Sequence, residues 1–248
     1  MGVNVLLLHC SLALLAGAAN MEIKNNCKFK IAPGIQGNPL VEGGGFSLDA
    51  GKSKSFVVPD GWEAGRIWAR TGCDDQFNCE TGFCGAGEKC NGRGGVPPVS
   101  LAEFTLHGAG NQDFYDVSLV DGYNIQVKIE PKQGTFTSNN GEYDCKPSGE
   151  CKTNLLDDCP DELKEKKGDK VVGCKSACLA FNTDEYCCRG SHGTPETCKS
   201  SDWPRDYPKI FKDACPTAYS YAYDDHKSTF TCRGSNGAQS PEYLITFC

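Results

Sequence analysis

Positive charge is the scarcer sign in this 248-residue chain: 25 Lys and Arg stand against 32 Asp and Glu, a formal net charge of −7. An acidic protein has no general attraction for nucleic-acid phosphates or anionic lipid, so nucleic-acid binding and charge-driven membrane lysis are poor readings. Long hydrophobic runs are also missing. The one apolar stretch, Val5 to Leu15, is too short for a membrane span, which needs roughly 20 apolar residues. Histidine is rare, and His107, His192 and His226 have no paired spacing for a metal. No metal or other cofactor is expected. The chain has no Gly-x-Ser-x-Gly nucleophile elbow, and Gly92-Arg93-Gly94-Gly95 lacks the Lys-Ser/Thr of a phosphate loop. It also has no Asn-x-Ser/Thr acceptor, so N-glycosylation is not expected.

Cysteine, by contrast, is abundant, with 17 in the chain. So many thiols persist only as disulfides made in an oxidising compartment. Residues 1–19 read as a secretion signal, with the apolar run followed by the small residues Ala16-Gly17-Ala18-Ala19, although no Lys or Arg precedes the run. Cleavage there removes Cys10 and leaves an even set, read as eight bridges in a secreted, extracellular protein. The remaining 20–248 is large enough for a true hydrophobic core, as one large β domain or two ordinary ones.

Glycine and proline breaks divide 21–58 into short strands. Arg66-Ile67-Trp68-Ala69-Arg70 alternates, with Arg66, Trp68 and Arg70 on one face and Ile67 and Ala69 on the other. Four cysteines between Cys73 and Cys90 leave too little apolar material for a core, so a disulfide-held loop is expected there. Ala102, Phe104 and Leu106 alternate against Leu101, Glu103 and Thr105. Asp121-Gly122 stands between the β runs Tyr115–Val120 and Tyr123–Ile129, which predicts a tight hairpin. From Cys145 to Cys215 short helical pieces replace alternation. Helix starts are expected at Pro160 and over Arg205–Ala214, where Tyr207, Ile210, Phe211 and Ala214 share a face. Strands are expected again at Tyr219–Tyr223, Ser228–Cys232 and Tyr243–Cys248.

Several blocks resemble the thaumatin-like family of plant defence proteins, which has animal and fungal relatives. They include Cys79-Glu80-Thr81-Gly82-Phe83-Cys84, Arg66 through Cys73, Pro97 through Phe104, Asp113 through Asn124, Glu185-Tyr186-Cys187-Cys188, Cys215 through Tyr221 and Ser228 through Cys232. Counting alone leaves sixteen cysteines roughly two million pairings. The resemblance implies Cys27–Cys248, Cys73–Cys79, Cys84–Cys90, Cys145–Cys232, Cys151–Cys215, Cys159–Cys174, Cys178–Cys187 and Cys188–Cys198. It further implies a mainly β fold: a β-sandwich lobe (about 20–72, 97–144 and 216–248), a small disulfide loop lobe (about 73–96) and a disulfide-rich helical lobe (about 145–215). Phe83 replaces the usual Asp of the signature, and the Cys73–Cys79 loop is short. These departures point to a divergent branch, with an animal one among the candidates.

The resemblance also implies an acidic cleft of Arg66, Glu103, Asp116, Asp121 and Asp224. Converging carboxylates either accept hydrogen bonds from sugar hydroxyls or divide into acid and base across a glycosidic bond. Each residue has a plainer reading as well. Asp121 suits a tight turn, Arg66 suits a strand-layer ion pair, Glu103 suits a solvent-facing strand position, and Asp224 competes with Asp225. Phe83, Phe114, Tyr115 and Tyr123 are candidates for stacking on sugars, against the commoner fate of core packing. The leading expectation is a secreted, antifungal, monomeric binder of fungal cell-wall β-1,3-glucan. A weak endo-β-1,3-glucanase with Glu103 as acid and Asp116 as partner is the alternative, and a hydrolase inhibitor or protein-interaction module is the third reading.

Overall fold

The computed structural model describes residues 18–85, 87–224, 228–235 and 239–248. Its strands are β1 (Ala18–Asn25), β2 (Ala32–Asn38), β3 (Ser53–Pro59), β4 (Glu63–Arg70), β5 (Leu101–Thr105), β6 (Asp113–Ser118), β7 (Val127–Pro131), β8 (Phe136–Thr137), β9 (Lys164–Lys167), β10 (Lys170–Cys174), β11 (Phe230–Gly234) and β12 (Tyr243–Phe247). They form a four-stranded sheet in the order β3-β1-β12-β7, a six-stranded sheet in the order β2-β4-β5-β6-β11-β8, and the β9–β10 hairpin. The inner faces of the two large sheets share one core, in which Phe104 and Tyr115 meet Tyr243 at ring-centroid distances of 5.3 and 5.4 Å. Period-two alternation supplies this core: Ile67 and Ala69, Ala102 and Phe104, and Tyr115 and Val117 are all buried. Among the described residues, no helix is long and apolar enough to cross a membrane.

Three short helices lie between Cys145 and Cys215: α1 (Leu155–Asp158), α2 (Ala177–Phe181) and α3 (Tyr207–Ala214). In α3, Asp206 caps the N-terminus by accepting from Lys209 N–H at 3.2 Å, and Tyr207, Phe211 and Ala214 are buried, the stripe the spacing predicts. The start expected at Pro160 is a single 3₁₀ turn, Asp161–Leu163. The sixteen cysteines pair as Cys27–Cys248, Cys73–Cys79, Cys84–Cys90, Cys145–Cys232, Cys151–Cys215, Cys159–Cys174, Cys178–Cys187 and Cys188–Cys198. Of the expected signal, only Ala18 and Ala19 are described. They open β1, where Ala19 is buried and pairs with Val58.

Two expectations need correction. Asp121-Gly122 closes no hairpin, because β6 lies between β5 and β11 while β7 pairs with β12 in the other sheet. The chain crosses the sandwich there, drawn by Asn124. Its buried amide accepts from Ser100 N–H at 3.1 Å and donates to Ala69 O at 2.9 Å and Thr81 Oγ1 at 2.8 Å. Secondly, 219–223 is not a strand. Only Tyr219 bridges, to Ser118, because the Asp224 carboxylate folds the segment into turns by accepting from Ser220 N–H at 3.0 Å and Ser220 Oγ at 2.8 Å. The Cys73–Cys90 segment is the expected disulfide-held loop, closed by Cys73–Cys79 and Cys84–Cys90 and without strand or helix of its own among the described residues. The sandwich lends it Trp68, which packs with Cys84, Cys90, Val99 and Leu101. Trp68 Nε1 donates to Gly82 O at 2.8 Å, and a Cβ at Gly34 or Gly95 would run into its ring.

Trp68 is thus the largest apolar attachment of that segment. Trp68→Ala is expected to cost about 3–5 kcal/mol and to open the 73–96 segment to protease while both disulfides there remain. Denaturant melts and limited proteolysis check this. Unchanged cleavage in the segment would mean that the bridges alone hold it.

Candidate functional site

The outer face of the six-stranded sheet carries the charges. Arg66 of β4 stands opposite Glu103 of β5, and Glu103 stands opposite Asp116 of β6. Residues directly opposite in a pleated sheet share a face, so these three lie abreast across adjacent strands. Further along β4 the same face is covered by the 73–96 segment over Trp68 and Arg70, which leaves Arg66 open. Arg66 Nε donates to Glu103 Oε1 at 2.8 Å, with the two side chains 50% and 27% exposed.

Asp121 enters from beyond the end of β6. Gly122 N–H donates to Leu119 O at 2.9 Å, and Asp121 O accepts from Val99 N–H at 3.0 Å. Gly122 has φ +87°, and a Cβ there would meet Cys174 O at 2.7 Å, so the turn that presents Asp121 requires glycine. Arg66, Glu103, Asp116, Ser118, Val120, Asp121 and Tyr219 line one cleft of about 360 Å³. Burial pushes the Glu103 carboxyl above the usual glutamate range; the ion pair with Arg66 opposes this, the Asp121 charge adds to it, and a Ser118 hydrogen bond works against it. Glu103 is therefore easier to protonate than an ordinary glutamate, held between the Arg66 cation and the Asp121 charge.

The fifth sequence candidate does not line this cleft. Asp224 Oδ2 accepts from Lys212 Nζ of α3 at 2.8 Å as well as from Ser220. Lys212 Nζ also donates to Ala218 O at 2.9 Å and Ser228 Oγ at 2.8 Å. Asp224 fastens the 218–224 turn to the helix. Its rival Asp225 lies outside the described residues. Of the candidate aromatics, Tyr115 and Tyr123 are buried, Phe83 lines a separate cavity with Val96 and Pro98, and Phe114 is not among the cleft residues. Two polar cleft residues, Ser118 and Tyr219, are not among the sequence candidates. Ser118 was legible, since it follows Asp116 by two on the same strand face. Tyr219 was not, because it arrives through backbone bonds across a gap of about a hundred residues: Leu119 N–H donates to Tyr219 O, and Tyr219 N–H donates to Val117 O, both at 2.8 Å.

A model of the Thaumatin family matches residues 25–248. Pathogenesis-related protein 5 of Arabidopsis thaliana is 52% identical over 93% of this chain and 90% of its own length. A Prunus avium protein named glucan endo-1,3-beta-glucosidase is 44% identical over 98% of both chains. Among solved structures, a laminaripentaose-producing beta-1,3-glucanase in complex with laminaritetraose shares the fold with a TM-score of 0.61, at 10% identity over 93% of this chain and 98% of that one. Phe83 and the short Cys73–Cys79 loop therefore occur in a chain more than half identical to a plant protein, and by themselves they mark no animal branch.

Two outcomes follow from the geometry. Asp224→Ala removes a partly buried carboxylate with several donors and is expected to cost about 1–3 kcal/mol of stability, read by thermal or denaturant unfolding; a neutral substitution would mean that this carboxylate does not hold the 218–224 turn. Glu103→Gln should act in the opposite direction. Because its folded pKa is raised, the folded chain holds a proton that the unfolded chain releases, so stability falls as pH rises from the ordinary glutamate range through the raised value. The variant lacks this loss and is expected to melt higher than the parent at neutral pH, with the gap closing in acid. A gap that does not change with pH would refute the assigned burial cost.

Proposed function

This chain belongs to the thaumatin family, with pathogenesis-related defence proteins among its relatives, and from that premise we propose that it is a secreted antifungal protein that binds β-1,3-glucan in the Arg66–Glu103–Asp116–Asp121 cleft. One observation carries the reading: three charged side chains in register on adjacent strands, joined by Asp121 in the same open cleft. Glucan is neutral and rich in hydroxyls. Carboxylates fixed on a rigid sheet accept from such hydroxyls without reorganising, and the half-exposed Arg66 guanidinium offers donors to ring and hydroxyl oxygens. The name of the Prunus avium relative and the laminaritetraose in complex with the structural neighbour support glucan as the ligand class. The eight bridges support action outside the cell.

Catalysis is the second reading, and the environment of Glu103 favours it. A carboxyl raised by burial is what a general acid requires. Glu103 and Asp116 are cross-strand neighbours, whose Cβ atoms lie about 4.5–5.5 Å apart, close enough for the two carboxyl groups to flank one glycosidic bond. Against efficient turnover, Arg66 bonds the same carboxylate and favours its ionised form.

Retention on insoluble β-1,3-glucan together with release of reducing ends from soluble glucan separates the readings. The chain is expected to bind, with Glu103→Gln and Asp116→Asn each weakening retention about tenfold, the worth of a charge-assisted hydrogen bond. Reducing ends should appear slowly if at all. Unchanged retention in both variants would move the function off this face, and turnover of about 10 per second that vanishes in Glu103→Gln would make the chain an enzyme.

A further inference from the structure

A cavity of about 620 Å³, larger than the acidic cleft, opens where the loop after β1, the start of the Cys73–Cys79 loop, the segment crossing between the sheets and the β9–β10 hairpin converge. That volume lies within the range of about 300–1,000 Å³ usual for small-molecule sites. Its walls are preformed. Asn124 pins the crossing segment, to which the chain's last residue is tied by Cys248 N–H donating to Gln126 O at 3.0 Å. Tyr123 N–H donates to Cys174 O at 2.8 Å, and Tyr123 Oη donates to Asn154 Oδ1 at 3.3 Å. Cys73 and Cys248, both in disulfides, complete the frame.

The lining is mixed in polarity and balanced in charge. Lys30 and Lys170 share it with two anions, Glu80 and the terminal carboxylate of Cys248, and Lys170 Nζ donates to Glu80 Oε2 at 2.9 Å. A ligand of either sign is attracted by one pair of these groups and repelled by the other. Gln126 and Asn154 add neutral amides, which both donate and accept. Among these polar groups stand Phe29, Ile125, Leu156, Val171 and Val172, and the Phe29 ring is 46% exposed. A wholly apolar ligand would strip water from the ammonium, carboxylate and amide groups and return no hydrogen bonds. A sugar ring has the matching make-up: a C–H face for an aromatic or aliphatic wall, and an edge of hydroxyls that donate to carboxylates and accept from ammonium and amide groups. We propose that this cavity is a second carbohydrate site, distinct from the acidic cleft, for a neutral oligosaccharide with one ring against Phe29 and hydroxyls on Gln126, Asn154 and the Lys170–Glu80 pair. The inference stands on this lining and not on the ligand assigned to the cleft.

The test follows the NMR signals of the full chain during titration with three neutral probes, laminaritetraose, cellotetraose and maltotetraose, and two charged ones, tetragalacturonate and the glucosamine tetramer. At least one neutral probe is expected to give saturable shifts at Phe29, Ile125 and Val171, and to bind more tightly there than either charged probe. These shifts should persist in Glu103→Gln, which reads the cavity apart from the cleft. Phe29→Ala, at an exposed position, should weaken the neutral probe by about threefold to tenfold, the worth of an aromatic contact. Thermal unfolding checks that this variant folds, and Gln126→Ala, which removes an amide partner of the hydroxyls, replaces it if it does not. A response confined to Glu103, Asp116 and Asp121 would overturn this proposal while leaving the cleft reading intact. Absence of saturable shifts at Phe29, Ile125 and Val171 with all three neutral probes, tighter binding of a charged probe, or neutral binding untouched by Phe29→Ala would also overturn it.

Discussion

The cleft depends on strand register. In a pleated strand successive side chains point to opposite faces, so a slip of one residue between β4, β5 and β6 would send Glu103 into the core and Phe104 into the cleft. The hydrophobic face forbids that slip. Ile67, Ala102, Phe104, Tyr115 and Val117 fill the interior between the sheets, and burying an apolar side chain is worth about 1.5–3 kcal/mol, far above what the Arg66–Glu103 pair contributes. Tyr115 adds a polar latch, its hydroxyl donating to Lys146 O at 2.6 Å. The charges are therefore held in line by residues that never touch a ligand, and the ion pair rides on a register set beneath it.

Two carboxylates on this sheet are pushed upward by burial, and the contrast between them separates scaffold from site. Asp113, at 1% exposure, accepts from Tyr243 Oη and Ser240 Oγ, both at 2.8 Å, and from His107 N–H at 3.0 Å. Those donors come from β12, from the turn before it and from the loop after β5, so Asp113 fastens the two sheets together and has no surface left for a ligand. Glu103 shares the direction and the first cause of the shift, but it faces an open cleft with Asp121 and Ser118 beside it. A burial cost that serves packing is repaid by donors at once. At Glu103 the partners Arg66 and Ser118 leave one side of the carboxyl open to the cleft, so the burial cost is only partly offset.

Local periodicity carried most of the fold into view. Alternation in Arg66–Arg70 and Leu101–Leu106 separates core face from outer face, and the apolar stripe of α3 needs only the 3.6-residue period. What local pattern could not supply was partner choice. Asp121-Gly122 has the composition of a hairpin turn, yet Tyr123 N–H donates to Cys174 O and Asn124 ties to Ala69 and Thr81, long-range bonds that override the turn signal. The site divides in the same way. Arg66, Glu103 and Asp116 are strand residues whose shared face follows from pairing, whereas Asp224 sits in a loop where nearby donors decide its fate, and Lys212 and Ser220 claimed it.

The segment from Asp121 to Gln126 is where the two cavities meet. Its first residue lines the acidic cleft, and Tyr123, Asn124, Ile125 and Gln126 line the larger cavity behind. The short span leaves the two no independent freedom, because Asn124 pins the middle to β4 and to the Cys73–Cys90 segment. One crossing segment thus separates an acidic face suited to hydroxyls from a chamber of mixed lining, with Phe29, Ile125, Leu156, Val171 and Val172 as its apolar part. The two faces differ in kind: Glu103, Asp116 and Asp121 make the cleft acidic, whereas the chamber mixes apolar side chains with Lys30, Lys170 and Glu80. A rigid partition with unlike faces keeps the two openings distinct without a moving part, and the bridges Cys27–Cys248 and Cys73–Cys79 at the chamber's edge serve that rigidity directly.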